Sequence, residues 1–275
     1  MQPSQIEKIH QDLINIYNED ILPIINNYFR SNTNKAFEKT SADYPTTLVT
    51  DADLAINNIL NSKLLALIPE SSVISEESKD KNISKYTFVI DPIDGTHSFA
   101  RNLDDWGITI ELLEDGETIY SIIFYPKCET KYYYAIKGKG SFDYEGNKIF
   151  NTKYFEFKPT IVCGPSSRKI GRALIDYTDG KMVSFRVYGS AVYILYTLLR
   201  GGSDFIVYDH LNIWDVLGCE FIAKEAGFVV DWIGNKPKID NSLDLNNSPC
   251  TLAIYKPGID KSLLTNLLNI IEENY

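Results

Sequence analysis

Apolar residues recur at helical spacing from the start of the chain. Ile6, Ile9, Leu13, Ile16 and Tyr17 predict a helix running toward Pro23. The polar stretch that follows, NTNKAFEKTSADYPTT, reads as a loop. Thr50-Asp51-Ala52-Asp53 then opens a second periodic segment with Leu54, Ile56, Ile59, Leu60 and Leu64, ending before Pro69. VIS (73–75) and TFVI (87–90) are short strands. From Trp106 to about Phe150 the segments WGITIELL, TIYSIIFY and KYYYAI are separated by the turns EDGE, PKCET and GKG, which predicts an antiparallel meander. Beyond it, strands and helices alternate. TIVCG, VSFRVYG, DFIVY, FVVDW and CTLAIY read as strands; SRKIGRALIDY, SAVYILYTLL, WDVLGCEFIAKEA and the last segment to Tyr275 read as helices.

This order predicts an α/β protein in which helices cover a meander sheet in the first half and a mixed sheet in the second. A seam near residues 150–158 divides the chain into halves, 1–152 and 153–275. No flexible linker marks it, so the two are expected to form one compact unit.

Charge narrows the function. A net charge of −10 argues against nucleic acid as the primary ligand, because phosphate-backbone binders present basic surfaces. No segment approaches the roughly 20 apolar residues of a membrane span. The N-terminus carries acidic residues and no apolar core, unlike a signal peptide. Cys128, Cys163, Cys219 and Cys250 are widely separated and form no C-x-x-C pair, which fits reduced thiols and a cytoplasmic setting. Three histidines are too scattered for a zinc site.

Four acidic stretches carry the candidate chemistry. The stretch FVIDPIDGTHSFAR (88–101) sets Asp91 and Asp94 at the end of an apolar strand, with Gly-Thr following where a helix can begin. Two carboxylates this close repel unless positive charge lies between them. The other stretches are Thr50-x-x-Asp53, Ser75-Glu76-Glu77-Ser78, and Asn212-Ile213-Trp214-Asp215. Each also has an ordinary reading: helix capping for the first and last, a solvated loop for the second. Phosphatases of the haloacid dehalogenase type separate their paired aspartates by a single residue; here Pro92 and Ile93 intervene, and the spacing does not fit.

Together the stretches resemble the inositol monophosphatase family, the magnesium-dependent, lithium-sensitive sugar-phosphate phosphatases. The matching segments are LVTDAD, SEES, DPIDGTHSF and IWDVLG in order, with GKGSF (138–142), GSA (189–191) and EAGFVVD (225–231). The likeness spans nearly the whole chain. It implies a layered α-β-α-β-α sandwich, usually a homodimer, and a pair of Mg2+ ions. By the resemblance, Glu76, Asp91 and the Ile93 carbonyl hold one ion, while Asp94 and Asp215, with Asp91 bridging, hold the second. Asp53 and Thr96, with Glu76 acting through its ion, orient and activate a water. The N–H groups of Gly95 and Thr96 hold the phosphate. Gly189, Ser190 and Ala191 line the sugar pocket.

Asp209 lies near the place where many members set a carboxylate against sugar hydroxyls, although counting back from Trp214 puts Tyr208 there. His97 and His210 read as pocket edge or plain surface, and Lys39 as a phosphate neighbour or a solvated charge. The chain departs from the family pattern at Ser75, at Ser98 and at Val216-Leu217-Gly218, where two small residues are usual. The implied activity is hydrolysis of a phosphate monoester of a small polyol, inositol 1-phosphate foremost. Histidinol phosphate and adenosine 3′,5′-bisphosphate are sibling substrates. A regulatory binding protein on the same fold is the reading from another class, and the intact carboxylates disfavour it.

Overall fold

Pro3 opens helix α1 (Pro3–Ile16), where its fixed φ suits a first turn and its missing N–H is no loss. In this computed structural model, residues 1–31, 35–39, 47–77, 82–150, 159–164, 168–178, 184–245, 249–259 and 261–274 are described. Ile6, Ile9, Leu13 and Ile16 form the buried stripe of α1. The helical run toward Pro23 continues past it. A π-turn over Tyr17–Ile21 lets the Leu22 N–H donate to the Tyr17 carbonyl, and α2 (Leu22–Tyr28) continues with Pro23 in its first turn. The wider turn absorbs a residue that would break a regular helix.

The stretch read as a loop also holds regular structure. Strands β1 (Ala36–Lys39) and β2 (Thr47–Thr50) pair antiparallel, Ala36 opposite Thr50. Residues 32–34 and 40–46 lie outside the described residues, as does the Lys39 side chain. Helix α3 (Asp51–Leu67) follows directly and buries Ala52, Ile56, Leu60 and Leu64.

A seven-stranded sheet comes next: β3 (Ser72–Ser75) parallel to β4 (Tyr86–Asp94), then, after the short helix α4 (Thr96–Ala100), the antiparallel run β5 (Gly107–Glu114), β6 (Glu117–Phe124), β7 (Tyr132–Ile136), β8 (Gly140–Asp143) and β9 (Lys148–Ile149). A five-stranded sheet in the order β11-β10-β12-β14-β13 follows. It is built from β10 (Thr160–Cys163), β11 (Ser184–Val187), β12 (Phe205–Leu211), β13 (Val229–Ile233) and β14 (Cys250–Tyr255). Its helices are α5 (Arg168–Thr178), α6 (Ala191–Leu199), α7 (Ile213–Glu225) and α8 (Lys261–Asn274). The first sheet takes all its strands from before residue 150 and the second all of its own from after 159.

Three apolar clusters define the layers. Phe88, Ile90, Ile110 and Ile122 face α1 and α3; Val89, Ile123 and Ala135 face Val192, Val216 and Ile222 of α6 and α7. The other side of α6 and α7 meets Val162, Ile206 and Ile254, and the far face of that sheet packs Phe205 and Val207 on Leu174 and Leu267. The result is an α-β-α-β-α sandwich, with α6 and α7 as the middle layer. At the far end of the second sheet, Lys256 Nζ donates to Asp204 Oδ1 (2.9 Å) and the Thr160 N–H to Asp204 Oδ2 (2.9 Å), with both side chains of the ion pair in the interior. No disulfide joins the four cysteines. Among the described residues no helix is long and apolar enough to cross a membrane.

Candidate active site

The site begins where β4 leaves its ladder. Pairing with β5 is regular through Asp91 opposite Thr109, then shifts until Asp94 meets Gly107. Pro92 cannot donate to a ladder, so it sits where the register slips. The Ile93 N–H donates back to Asp91 Oδ1 (3.0 Å), and the bulge turns both aspartates toward one point. Gly95 then takes φ +90, and a Cβ there would lie 2.8 Å from the Ser190 Cβ. Both the conformation and the space demand glycine. Helix α4 starts at Thr96, whose hydroxyl lies 3.0 Å from the Ile93 carbonyl and 3.0 Å from Asp53 Oδ1.

The capping readings of the sequence are structural fact, and they coexist with the site. Thr50 caps α3, and Asp53 Oδ2 accepts from the Thr50 N–H (2.8 Å) and hydroxyl, leaving Oδ1 to Thr96. Asn212 caps α7, and Asp215 Oδ2 accepts from the Asn212 N–H (2.8 Å). In both boxes one carboxylate oxygen holds the helix end.

Asp94 is gripped by the start of α6. The Val192 N–H (2.8 Å) and the Ser190 hydroxyl donate to Asp94 Oδ2, and the Ala191 backbone adds a further bond. Ser190 also accepts from the Tyr193 N–H at 3.1 Å as the α6 cap. The polar groups of Ser190 and Ala191 are thus turned onto a carboxylate, while Gly189 stays exposed beside Ser98.

Asp91, Asp94 and Asp215 each offer an oxygen, all within 4.8 Å of one another. Burial pushes the Asp91 carboxyl well above the usual carboxylate range, and the charges of Glu76, Asp94, Asp215 and Asp53 push it further. Asp215 is raised in the same way by burial, Asp94 and Glu76. Asp94 is raised by burial against its bonds from Ser190, Val192 and Ala191. Burial also lifts Asp53 to about 6. Glu76 follows β3 with its N–H donating to the Ile90 carbonyl (3.4 Å), beside Asp91. The structure therefore gathers Glu76, Asp91, Asp94 and Asp215, with Asp53 and Thr96 alongside. Crowded hard oxygen donors with raised proton affinities fit a hard divalent cation such as Mg2+.

Asp209 lies on β12. Its Oδ1 accepts from the Thr251 hydroxyl (3.0 Å) and lies 2.6 Å from His210 Nδ1, and its charge is felt by Cys163. Tyr208, the residue found by counting back from Trp214, is the one that points at the α6 turn: its hydroxyl donates to the Ala191 carbonyl at 2.9 Å. His97 is exposed on α4. Thr109, paired with Asp91, went unmarked in the sequence, and only strand register could have found it.

Comparison with known proteins agrees with this geometry. The sequence model of the inositol monophosphatase family matches residues 16–272. The fructose-1,6-bisphosphatase/inositol-1-monophosphatase of Thermotoga maritima is 25% identical over 190 residues, covering 69% of this chain and 73% of its own. The 3′(2′),5′-bisphosphate nucleotidase CysQ of Haemophilus influenzae is 30% identical over 194 residues, covering 66% and 70%. A solved IMPase/NADP phosphatase complexed with Mg2+ and phosphate shares the fold with a TM-score of 0.77 at 19% identity, over 98% of this chain and 96% of that one. The chain belongs to the inositol monophosphatase family and is a metal-dependent phosphoric monoester hydrolase.

Proposed function

We propose that this enzyme hydrolyses the phosphate monoester of a small polyol, inositol 1-phosphate foremost, by direct attack of water on phosphorus. The observation that carries the reading is the convergence of Asp91, Asp94 and Asp215 beside the Thr96–Asp53 pair. Glu76, Asp91 and the Ile93 carbonyl would hold one Mg2+, and Asp91, Asp94 and Asp215 a second. Bound there, the ions supply positive charge to the phosphoryl oxygens and lower the pKa of coordinated water.

The chain's own groups do the rest. Asp53, raised only to about 6, is ionised at neutral pH and can accept a proton through the Thr96 hydroxyl. The N–H groups of Gly95 and Thr96 face the phosphate. Gly189 is the member of the GSA segment that meets the sugar, with Ser190 and Ala191 positioning Asp94. Asp209 acts on the substrate side through the His210 ring it holds. No side chain is needed as a covalent nucleophile.

Adenosine 3′,5′-bisphosphate is the second reading, supported by the likeness to the Haemophilus influenzae nucleotidase. Phosphate release from inositol 1-phosphate, histidinol phosphate, fructose 1,6-bisphosphate and adenosine 3′,5′-bisphosphate, with and without Mg2+, tests both. Preference for inositol 1-phosphate supports the first reading and preference for the nucleotide the second. Release from none would favour the regulatory reading.

A further inference from the structure

Beneath the carboxylate cluster lies an acid that the proposed chemistry does not use. Glu111 stands on β5 and is 0% exposed. Its Oε1 accepts from the hydroxyls of Thr109 and Ser121 (3.4 Å for the latter), while its Oε2, equally buried, has no hydrogen-bond partner among the described residues. No basic side chain is bonded to it there. Helix α7 lies directly against this group: a Cβ on Gly218 would overlap Glu111 Oε1 and sit 2.8 Å from Thr109 Oγ1 and 2.9 Å from Ser121 Oγ.

Both partners lead to the metal cluster. Thr109 pairs in register with Asp91, and Gly218 lies one turn after Asp215 on α7. We infer that Glu111 is a positioning residue for the cluster: as an uncharged acid it lets α7 press on β5, and as a carboxylate it drives the helix, and Asp215 with it, away from Asp91. The inference rests on the metal reading above and adds to it a control by proton.

The chemistry of the layer supports this. A charge buried without a cation or a full set of donors is expelled or neutralised, and burial accordingly lifts the Glu111 carboxyl to about 8. The titratable groups nearest it are Asp91, diagonal on β4, and Cys219 on α7, whose thiol feels the Glu111 charge. The thiol of Cys219 is itself pushed well up by burial, then by Asp94, Glu111 and Asp215, so it supplies no compensating charge. From β6 comes Ser121, and α6 meets β5 at Gly107 through Val192; both are neutral.

The test is Mg2+ binding measured by calorimetry on the full chain. If only the neutral form is competent, at about pH 9 roughly a tenth of the protein qualifies, and the ratio of wild-type to Glu111→Gln affinity falls about tenfold from its value at about pH 7. The Glu111→Gln variant, permanently neutral and nearly isosteric, keeps or improves its affinity over the same range. Superimposable profiles for the two proteins overturn the inference while leaving the metal site standing. Failure of wild type to bind Mg2+ at neutral pH overturns the metal reading beneath it. Amide hydrogen exchange of metal-free wild type provides a readout that needs no variant. Protection across Leu217–Ile222, corrected for intrinsic rate, should drop between the same two pH values; unchanged protection also overturns the inference.

Discussion

The Thr96 hydroxyl stands 3.0 Å from Asp53 and 3.0 Å from the Ile93 carbonyl, so one proton serves two acceptors. This contact ties the start of α3 to the turn after β4. Thr96→Val removes the link without removing a candidate metal ligand. Turnover should fall about 10²–10³-fold with little change in KM, in the range expected for loss of an acid–base group, and Thr96→Ser should recover most of it. Because Asp53 must be ionised to accept a proton, kcat/KM should decline below about pH 6, and Asp53→Asn should lack that limb.

Asp91 contacts both proposed ions, so Asp91→Asn should abolish Mg2+ binding and nearly all turnover. Wild-type turnover in that variant would remove the ligand assignment. A second effect has the opposite sign. The Asp91, Asp94 and Asp215 carboxyls are raised in the folded state, so the native protein holds protons that the unfolded chain gives up. The stability linked to those protons is present near the unfolded value of about 4 and is lost as pH rises through the folded values. Metal-free protein should therefore melt at a higher temperature at about pH 5.5 than at about pH 7.5 from this cluster, and Asp91→Asn should flatten the difference. Calorimetry in the presence of a chelator reads it directly.

Alanine usually strengthens a helix interior relative to glycine by about 1 kcal/mol. Gly218→Ala should do the reverse, because its Cβ enters the space of Glu111, Thr109 and Ser121. A loss of about 1–3 kcal/mol in urea unfolding is expected from overpacking. Adding Glu111→Ala should restore part of it, as a double-mutant cycle would show.

The Lys256–Asp204 pair is a control for stability apart from chemistry. Lys256 and Asp204 are both buried, and Asp204 also binds the Thr160 N–H that starts β10. Lys256→Met leaves a buried carboxylate without its cation and should cost about 3–5 kcal/mol. Mg2+ affinity of the folded fraction should not change.

The site was legible because its residues come in local patterns that short-range chemistry imposes. Asp91-Pro92-Ile93-Asp94-Gly95 is a bulge, a turn and a positive φ written in consecutive letters, and the two capping boxes announce the helices that carry Asp53 and Asp215. Features set by distant partners were not legible. The β1–β2 hairpin pairs short polar strands whose sequence looks like a loop. The passage of the first helix through Pro23 depends on a π-turn that no periodicity signals. Asp209 sits beside the β12–β14 irregularity, where one residue of slip decides which face a side chain takes. Glu111 reads as the polar partner in an alternating strand, because nothing in GITIEL reveals that α7 covers that face.

The carboxylates that meet in the centre of the molecule arrive on β4 and α7, from opposite halves of the chain, with the second sheet's first strands made in between. During synthesis, a ribosome must release α7 before Asp91 and Asp94 can meet Asp215. Until then Asp91 and Asp94 are an exposed acidic loop on a nascent sheet. Completion of the three-aspartate cluster thus waits on α7, and a truncated product lacking that helix should be silent rather than partly active.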